Sequence, residues 1–180
     1  MVQFSDLWHG HPINESVQMP CIAPHELTNM DGEVIHTGFP VFHNQCAIRM
    51  GVALRRAGVQ PSQLGGCTHC GVHTREEMHF INASQVGGAI GPHIAGVGQR
   101  EVYSGADAAN FYPNIFGRTG IIYIENYWHR AGQAGAPTGD HIDVWNGYRS
   151  SAKWLMEWFS WLGYYSNYAG ASEIRFWEVK

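Results

Sequence analysis

Cys46 is the residue of this sequence best placed to act as a nucleophile. It stands near the start of the run Gln45–Ala57, in which apolar residues recur with the spacing of an amphipathic helix. In the first turn of a helix the backbone N–H groups are unpaired and the macrodipole favours an anion, so the pKa of a thiol is lowered there. The sequence therefore predicts a reactive thiol at Cys46. A small buried hydrophobic residue is the alternative interpretation.

A general base is offered by the predicted strand His141–Trp145, in which His141 comes first. Asp143 lies two residues further on, so both side chains point to one face of the strand. Asp143 either orients the imidazole or is a residue of the sheet without a catalytic role. A cysteine at a helix N-terminus followed much later by a strand histidine is the order expected of a papain-like thiol hydrolase. Three weaker candidates flank the same loop: Asp140, His129 and Glu125.

A second group of potential ligands includes Cys67 and Cys70, whose C-x-x-C spacing is typical of zinc sites and of redox motifs. Together with His73 and His79, the two cysteines could form a tetrahedral zinc site. The chain would then be a zinc-stabilised binding module. The redox alternative requires a thioredoxin-like strand before the motif, which the sequence does not indicate. In an oxidising compartment, a disulfide that involves Cys67, Cys70 or Cys21 is a third alternative.

Helices are predicted mainly in the first half of the chain. A short one is expected at residues 4–9, and the helix that contains Cys46 is expected to have Asn44 as its N-cap and Gly58 just after its end. The spacing of Thr74 and Glu77 is that of a capping box and predicts a helix over Thr74–Val86. The glycine-rich stretch that follows is predicted to be a loop.

Strand periodicity appears in the second half, at Ile121–Ile124, at His141–Trp145 and at Glu173–Val179. The Asn146-Gly147 turn signal predicts a further strand from Tyr148. A helix is expected over Ala152–Tyr165, with a tryptophan stripe that packs in the core or, alternatively, stacks on sugars or a partner: Trp154, Trp158 and Trp161. Helices followed by an antiparallel sheet predict the α+β class.

Composition excludes several classes of function. The chain has 180 residues, of which 44% are hydrophobic and 14% charged, so we expect one folded domain over residues 1–180 rather than a disordered chain. A net charge of −4 without a basic run argues against nucleic-acid binding. No apolar run reaches the roughly 18–20 residues that span a membrane. Residues 1–6 lack the features of a signal peptide, so we expect synthesis in the cytoplasm without one.

Two blocks of the sequence are similar to a known family. Asn44–Leu54 resembles the catalytic helix of the type VI secretion amidase effectors, of their fourth family in particular. Phe116–Ile122 followed by Gly139–Gly147 resembles the strand and histidine motif of that family. The resemblance covers most of the chain in patches, and smaller matches lie upstream and at the C-terminus: His11-Pro12, Pro20-Cys21 and Arg175–Glu178.

The resemblance implies a papain-like fold of the NlpC type, with the catalytic helix packed on an antiparallel sheet. It implies an antibacterial amidase, delivered by the type VI machinery, that acts in the recipient periplasm. Such enzymes cleave peptidoglycan stem peptides between γ-D-glutamate and meso-diaminopimelate, and a periplasmic immunity protein blocks their active site. Carried over to this sequence, Cys46 is the nucleophile and His141 the base. Neither a metal nor another cofactor is implied.

The third catalytic residue is where the sequence departs from the resemblance. Relatives are expected to carry an aspartate on the strand after the Asn-Gly turn, but Tyr148–Ala152 contains no acid. Asp143, Ser150, a backbone carbonyl or a water molecule could take that place, and we predict Asp143. A papain-like transferase that uses the same Cys/His pair is a further alternative, since both reactions share a thioester.

Overall fold

The computed structural model describes residues 1–23, 26–28, 30–129, 134–151 and 170–180 of the chain. The helices are α1 (Phe4–Gly10), α2 (Cys46–Arg56), α3 (Ala83–Ala89), α4 (Ala106–Ala109) and α5 (Tyr112–Ile115). The strands are β1 (Glu26–Thr28), β2 (Val34–Thr37), β3 (Val97–Ser104), β4 (Thr119–Trp128), β5 (Gly139–Asn146) and β6 (Glu173–Val179). Short 3₁₀ turns lie at Pro12–Asn14, Pro61–Leu64 and Arg75–Glu77.

The main sheet has four antiparallel strands in the order β3-β6-β4-β5. Its centre is apolar: Ile121 to Ile124 of β4 are fully buried. The register sets His141 of β5 opposite Ile124 and Asp143 opposite Ile122. Strands β1 and β2 form a separate antiparallel pair. The predicted α+β class is confirmed, and β5 lies at one edge of the main sheet.

Two apolar clusters hold the sheet and the helices together. The larger one joins Met50 and Leu54 of α2 to Ile142 and Val144 of β5. The smaller one contains Trp145, the residue after Val144, together with parts of α5 and β6. Burial of each such side chain contributes roughly 1.5–3 kcal/mol to folding. Neighbouring residues of β5 therefore pack into clusters on opposite faces of the sheet. This packing fixes the position of the residues at the start of the strand.

Helix α2 forms where its apolar period predicts it. Its N-cap is Gln45 rather than the expected Asn44, although the Asn44 side chain still accepts a hydrogen bond from the Cys46 backbone N–H at 3.4 Å. The helix stops because Gly58 takes up a left-handed conformation with φ of 88°. Gly51 lies so close to the chain at Met78 that a Cβ atom would stand 1.9 Å from the Met78 carbonyl oxygen.

The predicted helix over Thr74–Val86 is wrong in extent. The capping box between Thr74 and Glu77 is present, but it caps a single 3₁₀ turn that ends at Met78 in a left-handed conformation. Residues His79 to Ile81 then pair with the chain at residues 68–70, and the helix α3 begins only at Ala83. The capping box therefore begins a helical turn, but pairing of the next residues with residues 68–70 prevents the helix from continuing.

Two other predictions about loops and strands also need correction. The stretch after Val86 is not all loop, because α3 continues to Ala89 and β3 begins at Val97. No strand starts at Tyr148 within the described residues up to 151; a single bridge joins Ser150 to Trp145. The predicted helix Ala152–Tyr165 with its tryptophans lies outside the described residues.

Within the described part of the chain, no helix has both the length and the apolarity needed to cross a membrane.

Candidate active site

Cys46 is the first residue of α2, and its sulfur lies against the edge of the sheet. The Sγ atom is 3.9 Å from the carbonyl oxygen of Asp140 in β5. Cys46 is 7% exposed and lines a cleft. The thiol is therefore largely buried but accessible from the cleft. The position predicted for the thiol is the one observed.

His141 and Asp143 stand on the same face of β5, as the spacing predicts. The Nε2 atom of His141 lies 3.4 Å from Oδ2 of Asp143. Because Nε2 faces the carboxylate, Nδ1 is the ring nitrogen left for the thiol. The structure thus brings Cys46 together with His141 and Asp143, which lie on a strand far along the chain from it.

The three groups change one another's protonation. Burial raises the pKa of the Cys46 thiol, but its hydrogen bond to His141 and the charge of that ring outweigh burial, and the pKa is lowered. Burial lowers the pKa of His141, but hydrogen bonds to Asp143 and Cys46 raise it to about 10. The pKa of Asp143 is held well below its usual range by His141, against the effect of burial. Both shifts favour transfer of the thiol proton from Cys46 to His141, towards a thiolate–imidazolium pair.

Two residues that sequence patterns did not indicate complete the surroundings of Asp143. The Ser151 hydroxyl donates a hydrogen bond to Oδ1 of Asp143. Nε2 of His11 lies 3.4 Å from the same oxygen, and Nδ1 of His11 is 3.2 Å from the Ser151 hydroxyl. Both residues are buried, His11 at 2% exposure. The carboxylate is thus held on both of its oxygens, Oδ1 by the Ser151 hydroxyl and the Val144 N–H and Oδ2 by His141.

His11 is neutral in this arrangement. Burial lowers its pKa to about 4, although the negative charge of Asp143 works in the opposite direction. Arg49, His141 and Arg56 lower the pKa further. His11 therefore supports Asp143 as a neutral neighbour, and the imidazolium of the site belongs to His141.

A cleft with a volume of about 450 Å³ opens over the thiol. One wall is formed by residues 41–44 before α2 and another by residues 80–84, while Trp128 and Asp140 close the end at the sheet. The Trp128 indole donates a hydrogen bond to the Asp140 carbonyl oxygen at 3.1 Å. The lining of the cleft includes both apolar and polar side chains, a mixture that suits a peptide.

The weaker candidates of the same loop have different surroundings. Asp140 lies in the cleft, where its Oδ1 accepts a hydrogen bond from the Asn126 backbone N–H at 3.1 Å. Glu125 instead accepts a hydrogen bond from the Ser172 hydroxyl. His129 is exposed. Of these three, only Asp140 lines the cleft over the thiol.

The predicted ligand group around the C-x-x-C motif has a different membership from the one expected. Cys70, His73 and His79 lie together, but their fourth neighbour is Cys21 and not Cys67. All four cysteines of the chain are free thiols and all are buried. Sequence spacing could not indicate Cys21, because the chain brings it in from a distant loop.

Comparisons with known proteins concern the family and the fold. The model of the family described as "Tae4: Type VI secretion system (T6SS), amidase effector protein 4" matches residues 42–177. No curated protein sequence matches significantly. Among solved structures, the fold is similar to that of Tae4 from Salmonella typhimurium in its complex with Tai4, at 17% identity and a TM-score of 0.54. It is also similar to Tae4 from Enterobacter cloacae in the Tae4–Tai4 complex, at 16% identity and a TM-score of 0.56. Each match covers 100% of this chain and 99% of the other.

Proposed function

The chain belongs to the Tae4 family of type VI secretion amidase effectors, and from this premise we propose that it is a peptidoglycan amidase with Cys46 as its nucleophile. The observation that carries the proposal is the convergence of Cys46, His141 and Asp143 beside a cleft that Cys46 lines. A preformed thiolate next to an imidazolium is the state from which a cysteine peptidase attacks an amide.

In the first half of the reaction, the Cys46 thiolate attacks the carbonyl carbon of the scissile amide. The negative charge moves to the carbonyl oxygen, where backbone N–H groups at the start of α2 stabilise it. When the C–N bond breaks, His141 gives its proton to the leaving amine. The acyl group remains on Cys46 as a thioester, and His141 is then neutral.

In the second half, water replaces the amine. Neutral His141 removes a proton from the water molecule, whose oxygen attacks the thioester carbonyl. The C–S bond breaks, the acid leaves, and the thiolate and imidazolium are restored. Asp143 contacts His141 throughout and holds its ring in the orientation that both steps need.

The bond that we propose as the target joins γ-D-glutamate to meso-diaminopimelate in the stem peptides of the wall. The cleft admits a peptide strand, and its mixed lining suits a short peptide that carries charged groups. The solved relatives are complexes of Tae4 with Tai4 immunity proteins. We propose the same kind of cognate partner here, with secretion by the type VI system and action in the recipient periplasm.

Digestion of purified Gram-negative peptidoglycan tests this function. Wild type should release fragments with a new free amine on diaminopimelate, identified by chromatography and mass spectrometry, and Cys46→Ala should release none. Cys67→Ala is the matched control, because it removes a buried thiol that does not line the cleft, and it should keep activity. Folded wild-type protein that releases no such fragment, or product that carries an added amine instead of water, would contradict the proposal.

A further inference from the structure

We propose that Cys21, Cys70, His73 and His79 form a structural zinc site that fastens one wall of the cleft to the catalytic helix. One ligand atom from each residue lies within 4.8 Å of those of the other three. This site is separate from Cys46 and His141, and it does not depend on the proposed function.

The spacing of the four groups is that of a tetrahedral metal site. Nδ1 of His73 lies 3.3 Å from Sγ of Cys70 and 3.6 Å from Sγ of Cys21. In a zinc site with Zn–S bonds of about 2.3 Å and Zn–N bonds of about 2.0 Å, the sulfur–nitrogen edge of the tetrahedron is about 3.5 Å. The side chains are thus already separated as they would be around one ion. Two sulfur and two nitrogen ligands in this geometry favour zinc over harder cations.

An unpartnered polar atom supports the assignment independently. The Nδ1 atom of His79 is buried without a hydrogen-bond partner, in a side chain that is only 5% exposed. The rings of His79 and His73 lie with their centroids 4.1 Å apart. Two imidazoles packed this closely beside two buried thiols leave polar groups poorly satisfied, and a cation bound between them removes that cost.

The two histidines also argue against a disulfide as the purpose of the cluster. A bond between Cys21 and Cys70 would need only the two thiols. It would leave His73 and the buried His79, whose rings are in tilted contact, without a role. Zinc uses all four groups.

The site joins two segments that lie next to the catalytic helix. The Cys21 backbone is held by the side chain of Gln45, which accepts a hydrogen bond from its N–H at 2.9 Å and donates one to its carbonyl oxygen at 3.0 Å. Gln45 directly precedes Cys46. Cys21 and Cys70 also pack on Ile48 of α2. His79 directly precedes Phe80, which lines the cleft.

Zinc analysis of untagged protein tests the proposal. Protein made with zinc in the medium, kept reduced and then dialysed, should hold about one zinc ion per chain. Cys21→Ser and Cys70→Ser should lose it, whereas Cys67→Ser, which removes a thiol outside the cluster, should keep it. Cys46→Ala should also keep it, so the result is independent of amidase activity.

Cobalt provides a second readout that needs no variant to fold. Zinc-free wild type titrated with Co²⁺ should show thiolate-to-cobalt charge-transfer absorption and the visible bands of a tetrahedral site. Three results would overturn the proposal. They are wild type without stoichiometric zinc or cobalt absorption, zinc loss in Cys67→Ser equal to that in Cys70→Ser, and a Cys21–Cys70 disulfide found by peptide mapping of the native protein.

Discussion

At the scale of single residues, the site depends on how Asp143 changes His141. A lone buried imidazole would lose its proton readily, because burial lowers its pKa. The carboxylate 3.4 Å away and the thiol raise that pKa to about 10 instead. The same ring lowers the pKa of Cys46, so one histidine links the orienting acid to the nucleophile.

Asp143→Asn should lower kcat by about 10- to 100-fold, because the ring loses its orientation and the charge that holds its proton. The pKa of His141 should fall, since the hydrogen bond to Asp143 is the largest of the effects that raise it. The alkaline limb of the pH–activity profile, expected near pH 10 in wild type, should therefore move to lower pH. The profile of kcat measured on soluble stem-peptide fragments checks both effects.

Asp107→Asn is the control for this change, since Asp107 is an exposed residue of α4. It should reproduce the wild-type profile. An alkaline limb that stays in place in Asp143→Asn would show that Asp143 does not act on His141.

Sequence patterns could identify part of this site and not the rest. The helix start and the strand alternation placed Cys46, His141 and Asp143 correctly relative to their own elements. His11 and Ser151 were missed, because their contacts with Asp143 arise only when the N-terminal segment and residue 151 meet β5 in the fold. No local spacing carries that information.

At the scale of elements, the periodic segments were predictable and the irregular ones were not. Helix α2 and strands β4, β5 and β6 have strong hydrophobic patterns, and the structure confirms them. Strand β3 was missed because Val97 is its one buried residue, so no apolar alternation marks it, and because it follows a glycine-rich stretch. The chain between Thr74 and Ala83 was misassigned because pairing with residues 68–70, rather than local preference, decides its course.

The contact of α2 with this irregular segment gives a prediction about Gly51. A Cβ atom there would stand 1.9 Å from the Met78 carbonyl oxygen, so Gly51→Ala must displace the backbone that leads into the cleft wall. We expect a loss of about 1–3 kcal/mol in the free energy of unfolding, typical of overpacking, together with reduced activity. Urea denaturation measures the first effect.

Gly88→Ala in α3 is the matched control, because nothing lies within 4 Å of a Cβ atom at that position. Alanine is the better helix former by up to about 1 kcal/mol, so this variant should be as stable as wild type or more so. A stable Gly51→Ala variant would mean that α2 and residues 78–80 are not in close contact.

At the scale of the whole molecule, the buried histidine at position 11 ties stability to pH. Its pKa is about 4 in the folded chain and near 6.5 in an unfolded one. Between these values the unfolded chain binds a proton that the folded chain does not. The contribution of His11 to stability is therefore lost as pH falls from 6.5 towards 4, at up to about 1.4 kcal/mol per pH unit.

His11→Gln should accordingly weaken the dependence of stability on pH in this window. The variant should be less stable than wild type at pH 7, since packing around Asp143 is lost, but the difference should shrink as the pH falls. Urea denaturation at several pH values measures this, with the exposed His9→Gln as the control for loss of a histidine. Equal pH slopes in His11→Gln and wild type would contradict a buried neutral His11.

The most direct measurement is the pH dependence of Cys46 alkylation by iodoacetamide, with the modified residue located by mass spectrometry. In wild type Cys46 should react at a pH well below the one at which an ordinary thiol ionises, and much faster than the buried Cys67. In His141→Ala the reaction should require a pH at or above the pKa of a free thiol. Burial raises the pKa of Cys46, and the variant lacks the imidazole that lowers it. If Cys46 titrated like an ordinary thiol in wild type and His141→Ala left its reactivity unchanged, Cys46 and His141 would not form the catalytic pair.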